Sequence, residues 1–233
     1  MLKKNKNICI IPARAGSKRI PNKNIKKFLG KPLISYSIKI AKKSKLFHKI
    51  FVSTDSKLIK KISEMYGAEV PFLCEKKFSK DGIGTEFVTK NFLKKINYKS
   101  YDYCVCLYPT SPFLKISDLY LSLKKIKKNN FDKLTSVGKY NFSPLRAFKQ
   151  INNKISFLNN KYKNIRSQKL PNILHDAGNF YIYKIKNFLT SKKTQKKHTF
   201  FELDSYRVLD INTLEDFKMA EIQYEILKKK KLI

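Results

Sequence analysis

The chain has 233 residues, 42% of them hydrophobic, with no apolar run near the roughly 18 residues of a membrane helix. Its basic start, Lys3-Lys4-Asn5-Lys6, precedes an apolar run shorter than the about 7–15 residues of a signal-peptide core, so the expected location is cytoplasmic. The 51 Lys and Arg against 17 Asp and Glu give a formal net charge of +34. These cations are scattered along the chain, which favours small anionic substrates over a dedicated nucleic-acid surface and leaves a basic nucleic-acid-binding protein as the alternative class.

The length suits one domain spanning 1–233. Ile8 to Ile11 is a short apolar run closed by Pro12 and predicts a buried strand. The loop behind it crowds Arg14, Ser17, Lys18, Arg19 and Lys23 between Pro12 and Pro21, with Gly16 free to turn. Fixed cations on a loop leaving a strand suit a polyphosphate, Arg as a planar fork and Lys as a compact charge. The loop matches neither G-x-x-x-x-G-K-[ST] nor G-x-G-x-x-G, so a plain basic turn is the competing reading.

Pro32 stands where a first helical residue is tolerated, and Leu33, Tyr36, Ile40 and Ala41 share one helical face. Ile50 to Ser53 predicts a second strand. Thr54-Asp55-Ser56 caps a helix running to Tyr66, which Gly67 ends. Val70 to Leu73 predicts a short third strand. This alternation predicts a parallel sheet covered by helices, with ligand loops along one edge. Cys74 to Gly84, carrying Asp81-Gly82, reads as a flexible loop at that edge, followed by a helix from Thr85 to about Ile96.

Tyr103 to Leu107 predicts a central strand that opens into Tyr108-Pro109-Thr110-Ser111-Pro112-Phe113, held open by two prolines. A helix starts near Ser117-Asp118, and Leu134 to Val137 predicts another strand. The stretch from Tyr140 to Leu174 is irregular with a hairpin. Phe180 to Ile185 predicts a strand with His175 and Asp176 just before it. A carboxylate can orient an imidazole, but such neighbours are more often structural, and no G-x-S-x-G accompanies them. His48 and His198 have no polar cluster around them and read as surface or helix-end residues. Val208 and Leu209 finish a short strand, and Thr213-Leu214-Glu215-Asp216 is a capping box for the last helix. Asp210 and Asn212 share a face in extended geometry, a partial oxygen shell for a hard cation or simply loop residues. Cys9, Cys74, Cys104 and Cys106 lack metal-ligand spacing and read as free thiols, Cys104 and Cys106 packing on one strand face.

The segment 12–24, PARAGSKRIPNKN, followed by Phe28-Leu29-Gly30-Lys31-Pro32-Leu33-Ile34, resembles the opening signature of the CMP-sugar synthetases, cytidylyltransferases that activate sialic-acid-type sugars. Val52-Ser53-Thr54-Asp55, Pro109-Thr110-Ser111-Pro112, Arg166-Ser167-Gln168 and Asp210-Ile211-Asn212-Thr213 extend the likeness over nearly the whole chain. Val70-Pro71-Phe72-Leu73, the Tyr108 to Phe113 loop and His175-Asp176-Ala177-Gly178-Asn179-Phe180-Tyr181 are similar to the pseudaminic acid branch.

The resemblance implies an α/β Rossmann-like three-layer sandwich of the nucleotide-diphospho-sugar transferase type, its central sheet mostly parallel. Residues 140–174 would protrude as an arm for a homodimer. It implies CTP and an acidic nine-carbon sugar as substrates, pseudaminic acid first and N-acetylneuraminic or legionaminic acid as alternatives, for surface glycan or flagellin glycosylation. Arg14, Lys18 and Asp210 would be catalytic. Ala13 to Arg19, thus including Ala15, Gly16 and Ser17, would bind nucleotide together with Asn24 and Asp81. Tyr108, Thr110, Ser111, Arg166, Gln168, His175 and Asp176 would bind the sugar, Arg166 meeting its carboxylate. Mg²⁺, with Mn²⁺ as a substitute, would sit on Asp210 and Asn212. Three positions depart from the family pattern: Ala15 for Gly, Cys74 for Arg with Lys76 and Lys77 nearby, and Asn212 for a second Asp.

Overall fold

The computed structural model describes residues 6–75, 82–190 and 197–233. The first strand, β1, is Asn7–Pro12, and Ile8 to Ile11 within it are fully buried. Burial on both faces marks an interior strand of a parallel sheet. A two-stranded ribbon, β2 Lys27–Phe28 and β3 Lys31–Pro32, leads into helix α1, Ile34–Ser44. Pro32 thus pairs with Lys27 in the ribbon instead of opening the helix.

Strand β4, Lys49–Ser53, is followed by helix α2, Lys57–Met65. The Ser56 hydroxyl caps α2 by accepting from the Ile59 N–H at 3.3 Å, and Gly67 closes the turn behind it with φ +93°. Val70 to Leu73 is not a strand. Glu69 makes a single parallel bridge to Phe51, after which Pro71 has no N–H to extend the ladder. Helix α3, Thr85–Lys95, precedes β5, Tyr103–Leu107.

Helix α4, Ile116–Lys128, has its cap two residues before the expected Ser117. Its capping residue is Lys115, whose N–H donates to the Asp118 carboxylate at 2.8 Å. Then come β6, Lys133–Lys139, and an antiparallel hairpin of β7, Phe148–Ile151, and β8, Lys154–Phe157. Strand β9 runs Leu174–Lys184, so His175 and Asp176 lie inside it rather than ahead of it. The strand reaches further back because its register with β6 shifts between Thr135 and Val137, and Gly178, at φ +61°, takes up the distortion.

Helix α5, Ile185–Thr190, strand β10, His198–Glu202, and helix α6, Leu214–Lys229, complete the chain. His198 is therefore a strand residue, and its Nε2 meets the Thr135 hydroxyl at 2.8 Å. Val208 and Leu209 form no strand, because β10 already occupies the sheet edge beside β6 and the chain there crosses toward α6. The capping box is present, with the Thr213 hydroxyl accepting from the Asp216 N–H at 3.1 Å.

The six-stranded sheet has the order β10-β6-β9-β5-β1-β4, all parallel except β9. Strand alternation splits the core in two. Cys9, Ile11, Val105 and Leu107 face α1, α2 and α4, while Ile8, Ile10, Cys104 and Cys106 face α3 and α5. A third cluster joins Phe28, Leu33, Phe113, Ile211 and Phe217, fastening α6 over the ribbon. Each such side chain contributes roughly 1.5–3 kcal/mol through its removal from water. The hairpin projects away from these cores, with Phe142, Phe148, Ile155 and Leu158 exposed.

Candidate active site

The C-terminal ends of β1, β4 and β5 open onto one cleft of about 460 Å³. Pro12, Ala13 and Arg14 line it from β1, Ser53 from β4, and Tyr108, Pro109 and Thr110 from β5. The opening loop adds Ser17, Lys18, Arg19, Lys23 and Asn24, and Cys74, Ile83, Thr85 and Val88 close the far side. Crevices beyond the carboxyl ends of parallel strands are where α/β sheets hold ligands.

The opening loop is held by its backbone. Ala13 N–H donates to the Ser53 carbonyl at 2.8 Å, and Ala15 N–H donates to the Asp55 carboxylate at 2.9 Å. Asp55 is thus a loop clamp as well as a neighbour of the α2 cap. Buried Asn24 donates its side-chain N–H to the Arg14 carbonyl at 2.9 Å, and Ile20 is fully buried beneath the loop. Gly16 does not make the turn through a left-handed conformation; Asn22 does, at φ +53°. Arg14, Lys18 and Arg19 consequently stand on a fixed rim with their side chains exposed.

Lys23 is half-buried and donates to the Ile211 carbonyl at 2.7 Å. Burial lowers its pKa; Asp210 opposes that, while Arg19 and Arg14 add to it. Asp210, the chain neighbour of Ile211, therefore stands near Lys23 at the edge of the cleft, outside the residues that line it. The Asn212 amide N–H donates to the Asp210 carboxylate at 2.5 Å, so Asn212 presents its donor, not its oxygen, to that carboxylate. Sequence reading counted Lys23 among the loop cations without a role. Ser53 belongs to the Val52 to Asp55 motif, whereas Thr85 and Val88 carry no motif and reach the cleft only through the fold.

Tyr108 lines the cleft with its hydroxyl 2.7 Å from that of Thr85, and burial raises its pKa. Its ring meets Tyr181 at 5.7 Å. The Tyr181 hydroxyl donates to Asp176 at 2.6 Å, and Gly178 N–H donates to the other oxygen at 2.9 Å. Asp176 thus supports the strand distortion. His175 packs on Tyr140 at 4.8 Å, and its Nδ1 lies 3.0 Å from the Asp176 carbonyl. Ser111 is buried and donates to the Asn179 carbonyl at 3.2 Å, locking the loop after β5. Arg166 caps, and Gln168 sits in, a single exposed helical turn of the excursion, Ser167–Lys169, outside the cleft lining. Asp81, Lys76 and Lys77 lie outside the described residues.

The cytidylyltransferase family model matches residues 8–232. The chain belongs to the cytidylyltransferase family. It is 38% identical over 225 residues to the pseudaminic acid cytidylyltransferase of Campylobacter jejuni, covering 95% of this chain and 97% of that one. It is 30% identical to the N-acylneuraminate cytidylyltransferase of Escherichia coli, covering 93% of this chain and 52% of that one. A solved CMP:2-keto-3-deoxy-manno-octonic acid synthetase complexed with CTP superposes with a TM-score of 0.71 at 15% identity, covering 97% of this chain and all of that one. The cytidylyltransferase fold is therefore that of a three-layer α/β enzyme with a mostly parallel sheet. Among the described residues no helix is long and apolar enough to cross a membrane.

Cys74 gives this cleft a chemical handle. Its Sγ lies 3.0 Å from the Ser53 hydroxyl and lines the cleft, whereas Cys9, Cys104 and Cys106 are buried. Burial pushes Cys9 and Cys104 well above the usual thiol pKa and Cys106 to about 12. Iodoacetamide is therefore expected to label Cys74 alone in the folded enzyme, and CTP to slow the labelling, since only an accessible thiolate reacts. Peptide mass mapping with and without CTP checks this.

Proposed function

We propose that this cytidylyltransferase converts CTP and pseudaminic acid into CMP-pseudaminic acid and pyrophosphate, supplying a cytoplasmic donor for surface glycan or flagellin glycosylation. The observation that carries the choice of sugar is the full-length similarity to the Campylobacter jejuni enzyme. The cation-lined cleft supports the nucleotide half of the reaction.

In this reading Arg14 and Lys18 hold the triphosphate, with Ser17, Arg19 and Lys23 beside them. Asn24 shapes the loop so that its backbone faces cytosine or ribose. Tyr108 and Thr110 shape the acceptor end of the cleft. The anomeric hydroxyl of the sugar attacks the α-phosphorus; its oxygen–phosphorus bond forms as the bond to pyrophosphate breaks, and the hydroxyl proton leaves to solvent. The protein supplies positioning and charge rather than a nucleophile.

One carboxylate plus phosphate oxygens is a donor set that Mg²⁺ accepts, and Asp210, exposed at the rim, fits it. Asn212 would need its amide turned to add an oxygen. Bound Mg²⁺ or Mn²⁺ would neutralise phosphate charge and acidify the attacking hydroxyl.

The exposed apolar hairpin supports a homodimer built through the excursion, residues 140–174. Arg166 on that excursion would then reach a sugar carboxylate from the second copy. Sedimentation velocity is expected to give a dimer, and a monomer at micromolar concentration would refute this part. The reaction itself is tested by pyrophosphate release from CTP and Mg²⁺ with pseudaminic, legionaminic and N-acetylneuraminic acids side by side. Release with pseudaminic acid is expected. Release with another sugar alone would keep the reaction and overturn the choice of sugar.

A further inference from the structure

Of the 51 Lys and Arg residues, only Arg14, Arg19, Arg146, Arg166 and Arg207 are Arg. In a chain so biased toward Lys, an Arg marks a place where the planar fork matters. Two of the five line the cleft, and two lie on the exposed excursion. Arg207 does neither. It is 4% exposed and paired with Asp118, which is equally buried.

Its geometry joins the segment after β10 to the loop and helix start that follow β5. The Arg207 guanidinium donates to both Asp118 oxygens, at 2.5 and 3.1 Å, and to the Phe113 carbonyl at 3.4 Å. Its Nε donates to Asp204 at 3.0 Å. Phe113 and Asp118 belong to the loop and helix start behind Tyr108, Pro109 and Thr110. Arg207 itself belongs to a strap, 203–213, that leaves β10 and carries Asp210 to the rim before α6 begins. The strap is anchored at its start by Leu203 N–H on the Val137 carbonyl at 2.9 Å. Next to it a Cβ at Gly138 would stand 3.1 Å from the Val208 methyls, so the strap rests directly on β6. Beyond Asp210 it is held by buried Ile211 and by Lys23. A buried ion pair is weak evidence for stability, because apolar residues in its place often hold a core as well. What such a pair does uniquely is fix one arrangement, and here the arrangement is that of Asp210 against the loop after β5.

We propose that Arg207 is a positioning residue, whose buried fork to Asp118 sets the strap so that Asp210 meets the divalent cation carried by the nucleotide. The proposal rests on the reading of Asp210 given above. Lys at this position keeps the charge but cannot grip both oxygens.

The experiment compares the wild type with Arg207→Lys, Asp118→Asn and Asp210→Asn. Mn²⁺ binding to the protein with CTP is followed by electron paramagnetic resonance, CTP binding in EDTA by calorimetry, and amide exchange by mass spectrometry. Both pair variants are expected to weaken Mn²⁺ binding by about 10- to 100-fold, as loss of a group supporting a metal ligand does. Exchange should quicken across 208–212, CTP binding in EDTA should stay within about twofold, and excess Mg²⁺ should restore turnover in Arg207→Lys. Unchanged Mn²⁺ binding in both pair variants beside a weakened Asp210→Asn would make the pair merely structural and overturn the proposal. Loss of the fold in both would do the same. If Asp210→Asn binds Mn²⁺ as the wild type does, the reading of Asp210 falls and takes the proposal with it, a pattern distinct from the first failure.

Discussion

Replacing Arg14 with Ala is expected to lower kcat/KM for CTP by about 10²- to 10³-fold, the range for removing one preorganised donor from a developing phosphate charge. The side chain is exposed on a loop whose shape depends on backbone contacts from Ala13, Ala15 and the Arg14 carbonyl, none of which the substitution removes. Thermal stability should therefore move by no more than about 0.5 kcal/mol. Arg14→Lys should recover only part of the activity, because an ammonium offers a point charge where the guanidinium offers a fork. Steady-state kinetics together with calorimetric unfolding check this. An enzyme that turns over normally without Arg14 would remove the opening loop from the phosphate site.

Asp210→Asn is expected to lower kcat by about 10²-fold or more, since charge stabilisation by a held metal is worth several kcal/mol. The residue is exposed, so the fold should survive, and chelation of the metal in the wild type should reproduce most of the defect. A second effect follows from Lys23. Asp210 now opposes the lowering of the Lys23 pKa that burial imposes. In the metal-free protein the loss of Asp210 lowers that pKa further, so the Lys23 ammonium is lost at a lower pH. Turnover against Mg²⁺ concentration checks the first effect, and a pH titration of the lysine side chains by NMR without Mg²⁺ checks the second. An Asp210→Asn enzyme with wild-type Mg²⁺ dependence would place the metal elsewhere.

The contrast between Asp118 and Lys23 shows where sequence reading stops. Asp118 reads as a helix-start carboxylate because local capping needs only residues three apart. Its partner, Arg207, is 89 residues away, and no local signal announces the pair. Lys23 reads as one of several loop cations, and its contact with Ile211 spans 188 residues. His175 and Asp176, adjacent in the chain, read more often as structural neighbours than as a catalytic couple, and the register shift between β6 and β9 that sets Asp176 against Gly178 and Tyr181 has no local signal. Val70 to Leu73 has strand composition, but Pro71 denies it a donor and the ladder ends at Glu69.

By itself the sequence determined the elements whose signals are local: the buried strands, which declare themselves as apolar runs, the Ser56 and Thr213 caps, and the basic loop after β1. The opening motif determined the family, because a long contiguous match carries more information than composition. Only the tertiary structure decided the strand order, the antiparallel entry of β9, the wall that α3 adds to the cleft, and the approach of Asp210 to Lys23. Those depend on contacts between distant segments. Such contacts form only when burial and register are satisfied across the whole sheet at once, and no window of sequence contains that condition.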